Sequence, residues 1–243
     1  MYKNNAIFGA PRSGTSWLGQ LFNASPNCIY RYQPLFSYEF KHYLSTESTE
    51  SDIRQFHSDL ITAKSKFVLT DHTFYKKEIT HLAWKEVRYH HITQNLLKNS
   101  DIKIVYIQRD ALSTINSWYN APKEFDKDKW DIFNEWKYAP SKNRDLPEEF
   151  NGYKKWQEVR SIHTANKSRY PDRVYMVDYN DLKTDTISTL KEIYNFCGLK
   201  WDIQVSNFIK ETITTHDSDA YSVYKNKSID INLPDTIIKQ LDE

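Results

Sequence analysis

The sequence predicts an α/β fold, a parallel sheet of about five strands flanked by helices on both faces. Three observations carry the prediction. Apolar runs of strand length recur at residues 5–10, 28–32, 67–69, 102–107 and 174–177. Stretches of helical period separate them, and alternating strands and helices build a sheet covered on both faces. Polar clusters follow the runs directly, at residues 9–16, Gln33, Asp71-His72, Arg109 and Tyr179. In open parallel sheets the ligand lies beyond the C-terminal strand ends, so these clusters gather at one edge.

Residues 5–10 read as the first buried strand and 15–24 as the first helix, with Trp17, Leu18, Leu21 and Phe22 on one side. Between them runs Gly9-Ala10-Pro11-Arg12-Ser13-Gly14-Thr15-Ser16. A strand, a tight loop and a helix aim backbone N–H groups at the helix N-terminus, a site for an anion. Gly9 and Gly14 let a phosphate approach the backbone. Ser13, Thr15 and Ser16 add hydroxyl donors, and Arg12 adds a fixed positive charge. The spacing of Gly9 and Gly14 is that of a Walker A loop, which makes the expected fold P-loop-NTPase-like. Thr15 stands where the Walker lysine falls, however, and the cation has moved to Arg12. The loop by itself implies a phosphorylated ligand.

Pro26-Asn27 turns the chain into the second strand, 28–32, which Gln33-Pro34 stops. Residues 35–44 read as a helix with Phe36, Phe40 and Tyr43 on its buried stripe. Residues 45–52 read as a polar surface loop, and 53–64 as a helix. The third strand, 67–69, ends in Thr70-Asp71-His72-Thr73, and a helix follows over 86–99. The strand at 102–107 ends at Gln108-Arg109-Asp110 and leads into a helix over 111–119. Residues 120–150 are rich in Lys, Asp, Asn and Pro, with Phe125, Trp130, Phe133, Trp136 and Tyr138 among them. A connection this long in one compact domain is expected to be a lid or substrate-binding insertion. An amphipathic helix over 152–170, a strand over 174–177 and a helix over 186–197 that Gly198 caps come next. Helices around 202–211 and 234–241 complete a single domain over residues 1–243.

Three of these segments together resemble one family. Pro11-Arg12-Ser13-Gly14-Thr15-Ser16-Trp17-Leu18 resembles the 5′-phosphosulfate loop of sulfotransferases that use 3′-phosphoadenosine 5′-phosphosulfate (PAPS). Ile104-Val105-Tyr106-Ile107-Gln108-Arg109-Asp110, followed by Ser117-Trp118-Tyr119, is similar to their 3′-phosphate motif. Val174-Tyr175-Met176-Val177-Asp178-Tyr179-Asn180-Asp181-Leu182 is similar to their Tyr-Glu-Asp-Leu segment. The resemblance implies a bacterial-type or carbohydrate-type PAPS-dependent sulfotransferase. It implies PAPS as donor, 3′,5′-ADP as product and no metal ion.

The physics of a two-anion ligand agrees. The first loop supplies one pocket through its N–H groups, hydroxyls and Arg12, and Arg109 with Ser117 supplies the other. The resemblance gives Trp17 the role of adenine platform and sets Tyr179 near the base. It puts Arg12 where family members carry Lys or Arg for the bridging oxygen. Family members carry a catalytic His after a strand, which points to His72 as base, with Asp71 as the alternative and Glu39 behind them. The early Glu-Pro pair of some carbohydrate-type members is Gln33-Pro34 here, and Gln cannot take a proton. The Arg-Lys-Gly motif of cytosolic members is absent, and Ser222-Val223-Tyr224-Lys225-Asn226-Lys227 is the expected substitute, with Lys225 or Lys227 at the nucleotide.

Lys+Arg 33 against Asp+Glu 32 argues against general nucleic-acid or membrane binding. Mean hydropathy is −0.74, and no apolar run approaches the roughly 20 residues of a membrane helix. The first residues lead straight into a strand, with no sign of a signal peptide, and two cysteines form no disulfide framework. A cytoplasmic enzyme acting on a small-molecule or glycan hydroxyl is expected. The competing expectation is a P-loop kinase-like phosphotransferase using ATP and Mg²⁺, which Thr15 in place of the Walker lysine opposes.

Overall fold

A computed structural model describes residues 2–70, 72–215, 223 and 230–241. The chain opens with strand β1 (Lys3–Phe8), helix α1 (Thr15–Asn23) and strand β2 (Cys28–Tyr32). A 3₁₀ turn at Pro34–Phe36 leads to α2 (Glu50–Ile61), the short α3 (Lys66–Leu69) and β3 (His81–Glu86). A second 3₁₀ turn, His90–Ile92, precedes α4 (Thr93–Asn99), β4 (Lys103–Gln108) and α5 (Ala111–Tyr119). Then come α6 (Ile132–Glu135), α7 (Gly152–Arg169), β5 (Val174–Asp178) and α8 (Tyr179–Thr184). The described chain closes with α9 (Thr186–Cys197), α10 (Ile203–Thr214) and α11 (Asp235–Leu241).

Among the described residues the strands form one parallel sheet in the order β2-β3-β1-β4-β5. The first strand is therefore central, and the order reverses beside it, which opens a crevice at the C-terminal edge. The register lines that edge up: Phe8 pairs with Glu86 and Tyr106, Tyr32 with Lys85, and Gln108 with Asp178.

Period-two alternation divides the core. Ala6, Phe8, Leu82, Trp84, Ile104 and Tyr106 pack with Ile53 and Phe56 of α2 and Leu96 and Leu97 of α4. Ile7, Ala83, Val105 and Ile107 pack with Leu18, Leu21 and Phe22 of α1, and with residues of α9 and α10. This is the two-faced α/β architecture that the sequence predicts. No helix among the described residues is long and apolar enough to cross a membrane.

Several elements depart from expectation. Residues 67–69, expected as the third strand, form α3, and the third strand is His81–Glu86. All six of its residues are buried, so no alternation marks it. Its Lys and Glu weigh toward helix by intrinsic propensity, and the helix expected over 86–99 begins only at Thr93. The expected helix over 35–44 is reduced to the first 3₁₀ turn. Helix α2 starts before residue 53 because Thr49 and Asp52 make a capping box, in which Asp52 N–H donates to Thr49 Oγ1 at 3.2 Å and Thr49 N–H to the Asp52 carboxylate at 2.7 Å. Residues 120–150 are more than a bare loop. Phe125, Ile132, Trp136 and Ala139 form an apolar cluster with Ile115 and Trp118 of α5 and with Leu233, Ile237 and Leu241.

Candidate active site

The site begins where β1 leaves the core. Arg12 has φ 70 and Gly14 φ 94, so the loop curls twice through the left-handed region. A Cβ on Gly14 would stand 2.5 Å from the Tyr179 ring, and one on Gly9 would stand 2.5 Å from Ser13 Oγ. Only glycine fits at either point. Buried Ser13 closes the turn, donating to the Ala10 carbonyl from its N–H at 3.1 Å and from its hydroxyl at 2.6 Å. The backbone bond from Leu18 N–H to the Gly14 carbonyl starts α1, no side chain caps the helix, and its first turn holds no acidic residue. The N–H groups of Thr15, Ser16 and Trp17 stand at the positive end of the helix dipole, an anion receptor made of backbone.

Two arginines and a serine join this loop to the next strand. Arg12 Nε donates to Ser117 Oγ at 3.2 Å, and its Nη1 lies 3.3 Å from Glu124 Oε1. Arg109, one residue past β4, donates from Nη1 to the Arg12 carbonyl at 3.1 Å. Its guanidinium lies 4.7 Å from the Tyr179 ring centroid, and its Nε is buried without a hydrogen-bond partner. Burial lowers the Arg109 pKa from its ordinary value. Tyr179 meets Trp17 edge-on at 6.4 Å between centroids, and Trp17 Nε1 donates to Thr212 Oγ1 at 3.3 Å. Pro11 and Ala10 line a small recess with Thr114 and Trp156, whose indole N–H donates to the Arg109 carbonyl at 3.1 Å.

Sequence reasoning missed Lys85. It lies on the same face of β3 as Ala83, turned toward α1. Its ammonium, on a residue only 1% exposed, donates to Ser16 Oγ at 3.2 Å, reaches Thr15 Oγ1 at 3.5 Å, and lies 4.1 Å from the Tyr32 ring centroid. Its charge lowers the Tyr32 pKa, aided by a hydrogen bond from Ser16 and opposed by burial. The signal was a lysine directly after the apolar stretch Leu82-Ala83-Trp84.

The structure brings Arg12, Ser13, Gly14, Thr15, Ser16, Trp17, Arg109, Ser117 and Tyr179 together. His72 stands elsewhere: its carbonyl accepts from Asn23 Nδ2 at 3.0 Å, and its ring meets Phe208 at 6.0 Å. Asn23 ends α1, roughly 12 Å along the axis from the loop at 1.5 Å per residue. Asp71, Lys225 and Lys227 lie outside the described residues. Glu39 accepts the backbone N–H groups of Lys64 and Ser65, at 3.1 and 2.8 Å. Gln33, with φ 39, starts the first 3₁₀ turn. Among the described residues no group of three or more His, Cys, Asp or Glu converges on a metal position.

A parallel sheet with order 2-3-1-4-5, a glycine-bounded loop at its central strand and paired arginines at its edge define a nucleotide-binding α/β transferase of the P-loop type. The chain belongs to the sulfotransferase domain family, whose model matches residues 4–236. Among solved structures it is similar to mouse sulfotransferase SULT7A1 complexed with PAP, at 15% identity over 99% of this chain and 81% of that one, with a TM-score of 0.59. It is similar to a sulfotransferase from Alicyclobacillus acidocaldarius, at 14% identity over 84% and 83% of the two chains, with a TM-score of 0.53. It is also similar to retinol dehydratase in a complex with retinol and PAP, at 15% identity over 98% and 79%, with a TM-score of 0.54. No curated protein matches the chain in sequence.

Proposed function

We propose that this protein transfers the sulfuryl group of PAPS to a hydroxyl acceptor by in-line displacement. The observation that carries the reading is the linked set Arg12, Arg109 and Ser117. It joins two cationic centres, one in the loop before an uncapped helix and one at the end of the neighbouring strand. Such a pair suits a ligand with two separated anionic groups, and PAPS carries a 5′-phosphosulfate and a 3′-phosphate. The residues fit that ligand: the buried Arg109 Nε and the first-turn N–H groups of α1 are donors in want of acceptor oxygens. PAP in two of the structural neighbours supports the same choice.

In this reading Thr15, Ser16 and Trp17 N–H groups and Arg12 hold the phosphosulfate. Arg109 and Ser117 hold the 3′-phosphate, with Lys225 as the proposed C-terminal contact, and Trp17 and Tyr179 flank the adenine. Lys85 stands behind Ser16 and adds charge to the loop. As the acceptor oxygen–sulfur bond forms and the sulfur–bridging oxygen bond breaks, Arg12 and Lys85 stabilise the charge left on the departing phosphate. The positive charge comes from these side chains and the helix dipole, and the reading invokes no metal ion.

The proposed acceptor is a small molecule or glycan with a ring face. Phe67 meets Tyr32 at 5.3 Å and Phe36 at 5.9 Å, and Phe36 and Phe67 remain 47% and 43% exposed. Such rings suit a sugar face or a flat hydrocarbon. Residues 120–150 serve as the lid of a single domain. Cys28 and Cys197 are free and buried, which fits a reducing compartment such as the cytoplasm. The test is transfer of label from ³⁵S-PAPS onto pooled glycans and phenols. Labelled product is expected, and transfer of phosphate from ATP–Mg²⁺ in its place would overturn the reading.

A further inference from the structure

We propose that Glu124, at the start of the 120–150 segment, is the general base that takes the proton from the acceptor hydroxyl. The inference rests on the PAPS reading. Two other carboxylates near this edge, Glu39 and Glu86, are engaged. Glu39 binds two backbone N–H groups. Glu86 is fully buried, and its Oε1 accepts from Leu35 N–H at 2.8 Å. Alternation turns Glu86 to the face of Trp84, away from Lys85. Gln33 cannot take a proton, and His72 stands beside the far end of α1.

Glu124 is held where a base is needed. Its backbone N–H and that of Phe125 both donate to the Ala121 carbonyl at 2.8 Å, and the Phe125 ring is buried against Trp118. This fixes the turn after α5. The carboxylate then meets Arg12 Nη1 at 3.3 Å, and its side chain is 23% exposed against 13% for Arg12. It is open enough to meet an acceptor. Arg12 touches Ser117 through Nε and Glu124 through Nη1, so one guanidinium spans from the nucleotide side to the carboxylate. The charge of Glu124 also acts on Tyr32 from β2 and on Lys142 from its own segment. Among the described residues, Arg12 touches it, and Tyr32 and Lys142 are titratable groups within reach of its charge.

The step balances. A proton passes from the acceptor hydroxyl to a Glu124 oxygen as the acceptor oxygen bonds to sulfur. The sulfur–oxygen bond to the phosphate breaks, its electron pair leaves on PAP, and Glu124 returns the proton to solvent.

The test uses the full chain and its Glu124→Gln variant with ³⁵S-PAPS alone, water serving as acceptor. Sulfate release, its pH dependence and PAP affinity by calorimetry are measured together. The base role predicts that Glu124→Gln slows release at least 30-fold and abolishes the acid-side limb of the pH profile. PAP affinity should stay within threefold, and Glu124→Asp should regain part of the rate. If Glu124 only restrains Arg12, the Gln variant will release sulfate as fast as the wild type or faster, which overturns the proposal. Failure of the wild type to bind PAP would instead remove the nucleotide reading, and the base with it.

Discussion

At Thr15 the loop lacks the lysine of a Walker A motif, and a lysine reaches it from the side. Lys85 on β3 donates to Ser16, beside Thr15, so the charge that an ATP-binding loop carries in its own sequence is supplied here by a neighbouring strand. Arg12 adds a second cation within the loop. Arg12→Ala is expected to lower PAPS turnover by about 10²–10³-fold, as for loss of a charge-stabilising donor, read by labelled sulfate transfer. Arg109→Ala acts on binding: calorimetry with PAP should show a loss of roughly 2–4 kcal/mol, the range for a buried charged hydrogen bond. Lys85→Met has a signature apart from activity. The Lys85 charge is the largest cause holding the Tyr32 phenol below its ordinary value, so spectrophotometric titration should find that phenol moved upward. An unmoved titration would separate Lys85 from Tyr32.

Among the elements, those with a local signal were legible in the sequence. The strand, loop and helix at residues 3–23 carry glycines, hydroxyls and an apolar stripe in their own order. Helix α9 ends at a glycine with φ 78, as Gly198 suggested. Strand β3 was not legible, because what makes it a strand lies outside it: β1 and β2 flank it, and both faces are covered. With it went Lys85, and the segment Phe67-Val68-Leu69, expected as the third strand ahead of His72, is helical instead. Glu124 was hidden for a related reason, since the insertion is organised by contacts with α5 and α11 rather than by its own pattern. Helix α2 offers a control remote from the site. Thr49→Ala removes its capping box and should lower stability by about 1 kcal/mol in denaturant unfolding, with PAP affinity unchanged. A change in affinity would contradict the independence of that helix from the nucleotide edge.

For the whole molecule, buried titratable groups set the pH range of stability. Burial holds His57 at about 4, His90 at about 3 and His163 well below its ordinary 6.5. Below pH 6.5 the unfolded chain takes up protons that these folded histidines refuse, so stability falls as pH falls toward those values. Each contributes up to about 1.4 kcal/mol per pH unit. Glu86 runs the other way. Burial lifts its carboxyl from 4.5 to about 8, so its contribution is full below pH 4.5 and fades as pH rises to 8. Between pH 4.5 and 6.5 the histidines outweigh it, and above 6.5 Glu86 slopes downward until the buried Lys76 ammonium, lowered to about 8, offsets it near pH 8, so thermal stability is expected to peak near pH 6.5. Glu86→Gln should flatten the decline from pH 6.5 to 8, and a wild-type midpoint that rises over that interval would contradict this assignment. For the whole molecule, the paired centres beside β1 and β4 are proposed to receive the two anionic groups of one ligand. They are tested most directly by the thermal midpoint of the wild-type chain with 3′,5′-ADP and, separately, with ATP–Mg²⁺. Stabilisation by 3′,5′-ADP alone is the predicted result, and stabilisation by ATP–Mg²⁺ alone would contradict it.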